Sequence, residues 1–386
     1  MKPRMLTPGP TPVPEETLLD LARPVFYHRS AQMKQVLADV LDDLRYVFCT
    51  KNLVLPLTCS GTGGMEAAVV NCFAPGRKVL CAHAGRWGER WRNLCRAFGI
   101  EAVSVTAPYG QAVRPEQLAA AVAEHPDAAG VCATLSETAT GVRHDIEAFG
   151  RITAPTPMLL LVDAISGLGV IPCRTDAWGV DVCVTGSQKA LMLPPGLAFV
   201  SVSERAWTRI DANPPARTFY FDLKKYRDKL LDHETPFTPA NTLLRALRLN
   251  LKRLRTEGIE NVWARHARMA AAARAGMRAL GLEIFAAQPA DGLTVARVPE
   301  GLDGVALLSK LEKNYGIKLA GGQDVLKGKI IRLGHMGYID QFDVLAALSG
   351  LELVLLEMGH GVEPGAGVAA AQRVLAEQVT GLTAAV

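Results

Sequence analysis

A lysine delivered straight off an apolar run is the first place in this chain to look for chemistry. The segment Val182-Cys183-Val184-Thr185-Gly186-Ser187-Gln188-Lys189 leads from such a run towards the tight turn Pro194-Pro195-Gly196. Lysine ordinarily keeps its charge in water, whereas a partly desolvated lysine loses basicity and attacks carbonyls as a free amine. Taken alone, the position also suits a plain surface lysine at a strand end. Earlier in the chain the nearly pure apolar run Pro157–Val162 ends in Asp163. A carboxylate there is costly unless a cation meets it. A protonated ring nitrogen is one such cation, and a ring so protonated draws electrons from a carbanion formed beside it. The competing readings of Asp163 are a helix cap and a metal ligand, but no nearby histidine or second carboxylate completes a metal site.

Three further pieces add to this pair. Thr58-Cys59-Ser60-Gly61-Thr62-Gly63-Gly64 passes from strand to helix through hydroxyls and glycines. Free backbone N–H groups and the positive helix end make such a turn a phosphate cradle, although it fits neither the P-loop nor the dinucleotide fingerprint, and glycine turns also serve packing. Trp87 stands where a strand gives way to a helix, so its indole could stack on a flat heteroaromatic ring or fill the core. Arg332 lies inside the apolar run Lys329-Ile330-Ile331-Arg332-Leu333. Its planar fork suits a substrate carboxylate, with an internal salt bridge as the alternative.

These residues need elements to hold them. The runs Leu53–Thr58, Lys78–Ala82, Glu101–Val105, Ala128–Leu135, Pro157–Asp163 and Asp181–Thr185 read as strands, with helices such as Gly88–Phe98 and Pro115–His125 between them. That alternation predicts an α/β fold with a mainly parallel sheet covered on both faces. Ligands of such sheets gather beyond the carboxyl ends of the strands, where Ser60, Ser136, Asp163 and Lys189 fall. After residue 240 the pattern changes to long helices, Asn241–Glu257 and Ile259–Leu280. Short strands at Leu293–Val298, Ile317–Ala320 and Lys329–Leu333 follow, with helices at Gly304–Tyr315 and Gln341–Met358 and a terminal helix beyond Pro364. The expected organisation is an N-terminal segment near the site (1–20), a large domain (21–262) and a smaller α+β domain (263–386).

Bulk composition narrows the classes. At 386 residues the chain exceeds what one hydrophobic core usually serves, and 49% hydrophobic with 21% charged residues describes an ordinary globular enzyme. A net charge of +4, with basic residues scattered, gives no stripe for nucleic acid. Neither a signal-peptide core nor a membrane-length apolar run is present, so a cytoplasmic location without membrane partners is expected. All eight cysteines precede Lys189 without a paired Cys-x-x-Cys, so they read as small buried hydrophobes; neither zinc nor disulfides are expected.

The set resembles the fold-type I pyridoxal-5′-phosphate (PLP) enzymes of the class V aminotransferase group, in particular the alanine–glyoxylate and serine–glyoxylate (serine–pyruvate) aminotransferases. The resemblance runs through Leu6-Thr7-Pro8-Gly9-Pro10, Tyr27-His28-Arg29-Ser30, Ser60-Gly61-Thr62, Trp87, Glu137-Thr138-Ala139-Thr140-Gly141, Val162-Asp163-Ala164, Gly186-Ser187-Gln188-Lys189-Ala190-Leu191 with Pro194-Pro195-Gly196, and Arg332. It implies a seven-stranded large domain and a Schiff-base role for Lys189, which would also carry the proton between substrate and cofactor. It further implies that Asp163 contacts the pyridine nitrogen, Trp87 stacks on the ring, and Thr138 lies near the ring hydroxyl. Ser60, Gly61, Thr62 and Gln188 would surround the phosphate, with Gly9 near the substrate and Arg332 on its carboxylate. Thr238 of a neighbouring subunit would reach the same phosphate, which implies a homodimer. The chain departs from the family pattern at Thr235, where an aromatic contact is usual, and at Pro236-Phe237, where one branch has His-His.

The implied reaction is ping-pong transamination between alanine or serine and glyoxylate or pyruvate. Alternatives are a donor with a phosphonate or a second carboxylate, for which Arg29, Arg86 or Arg143 could supply a second cation, and a noncatalytic subunit retaining the fold. A desulfurase would need a mobile-loop cysteine, and no cysteine follows Cys183.

Overall fold

The computed structural model describes residues 2–215 and 217–383. Seven strands form the central sheet in the order Leu53–Leu57, Ala198–Val202, Val182–Gly186, Leu159–Asp163, Gly130–Thr134, Lys78–His83 and Glu101–Thr106. Only Ala198–Val202 runs antiparallel to its neighbours. The apolar runs are continuous because both faces are covered. In the strand ending at Asp163, Leu160 and Val162 enter the core shared with the helices Ala31–Phe48 and Asn241–Glu257, while Leu159 and Leu161 enter the core shared with Gly61–Cys72. Successive side chains of a strand point to opposite faces, so one run serves two layers.

Tight packing leaves some positions without room for a methyl group. A Cβ on Gly150, in the helix Ile146–Thr153, would lie 1.7 Å from the Trp178 carbonyl oxygen. Gly150→Ala is therefore expected to lower stability by about 1–3 kcal/mol. Chemical denaturation would check this, and an unchanged midpoint would mean that the Trp178 loop yields freely.

A second sheet, antiparallel, joins Leu293–Arg297, Ile330–Gly334 and Ala320–Gly321, packed with the helices Gly304–Tyr315 and Gln341–Glu357. The sequence suggests one strand over 317–320, but the structure divides it. Ile317–Lys318 pairs with Arg4–Met5 of the N-terminal segment, whereas Ala320–Gly321 pairs with the strand carrying Arg332. The helix Ile259–Ala279 is continuous through residue 263: Ile259, Val262 and Trp263 pack into the large sheet's core, and Met269 to Met277 into the smaller one. Among the described residues no helix is long and apolar enough to cross a membrane. The cysteines are unpaired, with six buried and Cys49 and Cys59 half-buried.

Candidate active site

Strand ends and the N-terminal segment converge on one cavity of about 560 Å³. Of the residues singled out from sequence, Gly9, Ser60, Gly61, Thr62, Trp87, Thr138, Asp163, Gln188, Lys189 and Arg332 all line it. Thr238 does not; it is exposed on the stretch between the helices Leu223–Leu230 and Asn241–Glu257. Tertiary structure thus brings together residues more than 300 positions apart.

Lys189 sits three residues beyond the strand Val182–Gly186, and its Nζ donates to the Pro8 carbonyl at 2.5 Å. Burial pushes its pKa down to about 8; the Arg332 charge acts in the same direction, and Asp163 opposes both. The N-terminal segment is held against this lysine from both ends. Leu6 exchanges backbone bonds with Lys318 and Gly334, while Thr11 bonds the carbonyls of Gln188 and Lys189. Gly9 has φ +129°, a value favouring glycine, and a Cβ there would meet Lys189 Nζ at 2.2 Å.

Asp163 ends its strand with 5% exposure. One carboxylate oxygen accepts from the Ile165 N–H at 2.8 Å, and among the described residues no cation is within ion-pairing distance. Burial raises its pKa to about 6, against the lowering influence of the Ile165 N–H, Arg90 and Lys189. At the next strand end, Ser60 precedes the helix Gly61–Cys72, whose first turn has no side-chain cap. A Cβ on Gly61 would meet Ile165 Cδ1 at 2.5 Å. Those first N–H groups are donors awaiting an anion.

Arg332 is 7% exposed, and among the described residues no carboxylate forms the salt bridge considered from sequence. Its Nε donates to the Gly321 carbonyl and its Nη1 to the Thr138 carbonyl, both at 2.8 Å. Burial pulls its pKa down. Two backbone oxygens aim the guanidinium without neutralising it, so it enters the cavity as a cation.

Sequence reasoning passed over Arg90. Its Nη1 donates to Thr62 Oγ1 at 2.6 Å, and its guanidinium lies 4.4 Å from the Trp87 ring centre. The spacing of three from Trp87 on one helix was the available signal, because such residues are neighbours on the helix surface. Lys318 and Gln323 also line the cavity. Arg29, Arg86 and Arg143, considered as second cations, do not: Arg86 pairs with Asp324 at 3.2 Å, and Arg143 lies at a separate surface hollow.

These residues fit PLP on observations of their own. Among the described residues, Trp87 Nε1 is a buried donor without a partner, Asp163 is a buried carboxylate without a paired cation, and the helix start at Gly61 has no side-chain cap. A phosphorylated, nitrogen-containing ring with an aldehyde answers the helix start, Asp163 and Lys189 together.

A protein described as the small subunit of soluble hydrogenase from Synechococcus sp. is 42% identical, over 97% of this chain and 98% of that one. An L-aspartate–glyoxylate aminotransferase from Paracoccus denitrificans is 37% identical, over 95% and 94%. The crystal structure of ureidoglycine–glyoxylate aminotransferase from Bacillus subtilis superposes with TM-score 0.92 at 30% identity, covering 97% of this chain and 98% of that one. With residues 21–344 matching the family model for class V aminotransferases, this chain belongs to that family and is an aminotransferase.

Proposed function

We propose that the protein transfers the amino group of a small amino acid, alanine or serine, to a small 2-oxo acid such as glyoxylate or pyruvate, with PLP held by Lys189. The observation that carries this is the convergence of Lys189, Asp163 and Arg332, from three separate strands or strand ends, on one cavity. PLP supplies an aldehyde that links to amines and a protonated ring that draws electrons from the carbon losing its proton.

The protein's part is orientation and proton transfer. Asp163 would set a carboxylate against the ring nitrogen, Trp87 would offer a flat face, and the Ser60–Thr62 turn with Gln188 would offer donors to the phosphate. Arg332 grips the substrate carboxylate in two parallel hydrogen bonds, fixing which hydrogen of the α-carbon faces Lys189. Lys189 Nζ, depressed to about 8, takes that proton as the neutral amine and returns it as the ammonium. The Pro8–Pro10 stretch lines the cavity beside Lys189. Thr238, exposed outside its own cavity, suits a contact with a second copy in a cytoplasmic homodimer. Leu19, Val25, Tyr27, Phe219 and Leu231 are exposed apolar side chains that such a partner would cover.

The size of the substrate follows from the state of the remaining cations. Arg90 bonds Thr62, in the turn proposed for the phosphate, and Lys318 forms an ion pair with Glu312. A second carboxylate on the substrate would have to compete with the phosphate for Arg90 or with Glu312 for Lys318. A dicarboxylic donor remains the second reading, because Lys318 does line the cavity and the Paracoccus relative is named for aspartate. Measuring kcat/KM for alanine, serine and aspartate with glyoxylate as acceptor decides between them. The proposal expects alanine or serine to exceed aspartate at least about tenfold, the discrimination of one lost ionic contact; a preference for aspartate would establish the second reading.

A further inference from the structure

We propose that Glu137 is a positioning residue that fixes the Trp87 ring and the Arg332 guanidinium relative to one another, so that one carboxylate sets both the cofactor platform and the substrate clamp. This rests on the roles proposed above for Trp87 and Arg332. Glu137 has 0% exposure and, among the described residues, no ion-pair partner. An isolated buried carboxylate is costly, so its hydrogen bonds must hold something in place.

Its Oε2 accepts from the N–H groups of Trp87 at 2.9 Å and Gly88 at 3.0 Å. These begin the helix Arg86–Ala97, which has no side-chain cap at Gly85. Glu137 therefore supplies from another part of the chain the acceptor that a helix start ordinarily finds locally. A Cβ on Gly85 would lie 2.6 Å from Glu137 Cδ, so the glycine makes the approach possible. On the other side Oε1 accepts from the Ala139 N–H at 3.0 Å, and the Glu137 carbonyl accepts from Gly141 at 2.7 Å. The turn so fixed presents the Thr138 carbonyl to Arg332 Nη1 at 2.8 Å. The path from the Trp87 backbone, which carries the indole, to the guanidinium is thus a few hydrogen bonds and one peptide link. Charge reinforces geometry, since the Glu137 carboxylate favours the charged forms of Arg90 and Arg332, while its own burial raises it to about 7.

Glu137→Gln keeps the shape but turns an amide NH2 towards N–H donors. The experiment compares it with wild type, Trp87→Ala, Arg332→Gln and the Trp87→Ala/Glu137→Gln double variant. It measures the PLP dissociation constant of the cofactor-free protein, then KM and kcat at saturating PLP, with thermal midpoints alongside. Glu137→Gln is expected to raise the PLP dissociation constant and both substrate KM values about tenfold, with kcat changing less than about threefold. In the Trp87→Ala background it should weaken PLP binding by less than about twofold, since the linked part is already gone. Gly85→Ala, which crowds the carboxyl without removing it, should give the same pattern and keeps the test available if the glutamine variant does not fold. Wild-type PLP affinity and KM in Glu137→Gln, or a shifted thermal midpoint alone, overturns the proposal if Trp87→Ala and Arg332→Gln still show their own losses. If those two controls are silent as well, it is the reading of the cavity that has failed.

Discussion

Replacing Lys189 with alanine is expected to lower transamination turnover by at least about 10⁴-fold, because the variant loses both the amine that anchors the cofactor and the base that moves the proton. The fold should survive. The amine is buried with only the Pro8 carbonyl as hydrogen-bond partner among the described residues, so its removal relieves desolvation as well as ending one contact. The residual rate should be measured with circular dichroism and PLP absorbance alongside. A folded variant that retains a tenth of wild-type turnover would exclude Lys189 as the base. The lowered basicity has its own signature. With a pKa of about 8, roughly one amine in ten is unprotonated at pH 7, against about one in three thousand for an ordinary lysine. Only the neutral amine attacks the aldehyde, so PLP uptake by the cofactor-free protein should quicken as pH rises and level off just above 8. An ordinary lysine would keep accelerating past pH 10.

Arg332→Gln carries the second large effect, and it should fall on binding of both substrates. The guanidinium is buried, aimed by the carbonyls of Gly321 and Thr138, and meets no carboxylate among the described residues, so its charge is free for the carboxylate that amino acid and oxo acid share. Truncating one side of a buried charge-assisted pair costs about 2–5 kcal/mol, which corresponds to roughly 30-fold to several-thousand-fold in kcat/KM. Both half-reactions should suffer alike, because each begins by placing a carboxylate on the same fork. Single-turnover measurements with alanine and with glyoxylate would separate them. A loss confined to one half-reaction would mean that Arg332 serves a group which only one substrate carries. PLP affinity should change little, since the phosphate is proposed to sit at the Ser60–Thr62 turn rather than at Arg332.

The sequence by itself determined a good deal of this protein. Apolar runs of about strand length alternating with helical patterns were enough for a mainly parallel sheet, because residues buried on both faces leave no polar interruption. The expensive residues were legible for the opposite reason. Lys189, Asp163 and Arg332 each interrupt or end an apolar run where burial penalises charge, so each asks for a partner that the local chain does not provide. Family motifs then pointed to the same cavity-lining residues. What the sequence did not determine was the set of non-local contacts. Arg332 has a competing reading from sequence as a salt-bridge arginine, and only the fold reveals two backbone carbonyls in place of a carboxylate. Arg90 and Glu137 are ordinary charges in a linear reading; their significance lies in meeting Thr62 and the Trp87 N–H across helix and loop. The division of residues 317–321 between two sheets depends on the N-terminal strand Arg4–Met5, some 310 positions away. Local pattern follows from burial and period, which each residue carries in its own side chain. Which charges converge, and which backbone oxygens aim them, is decided by long-range packing, and only the tertiary structure supplies it.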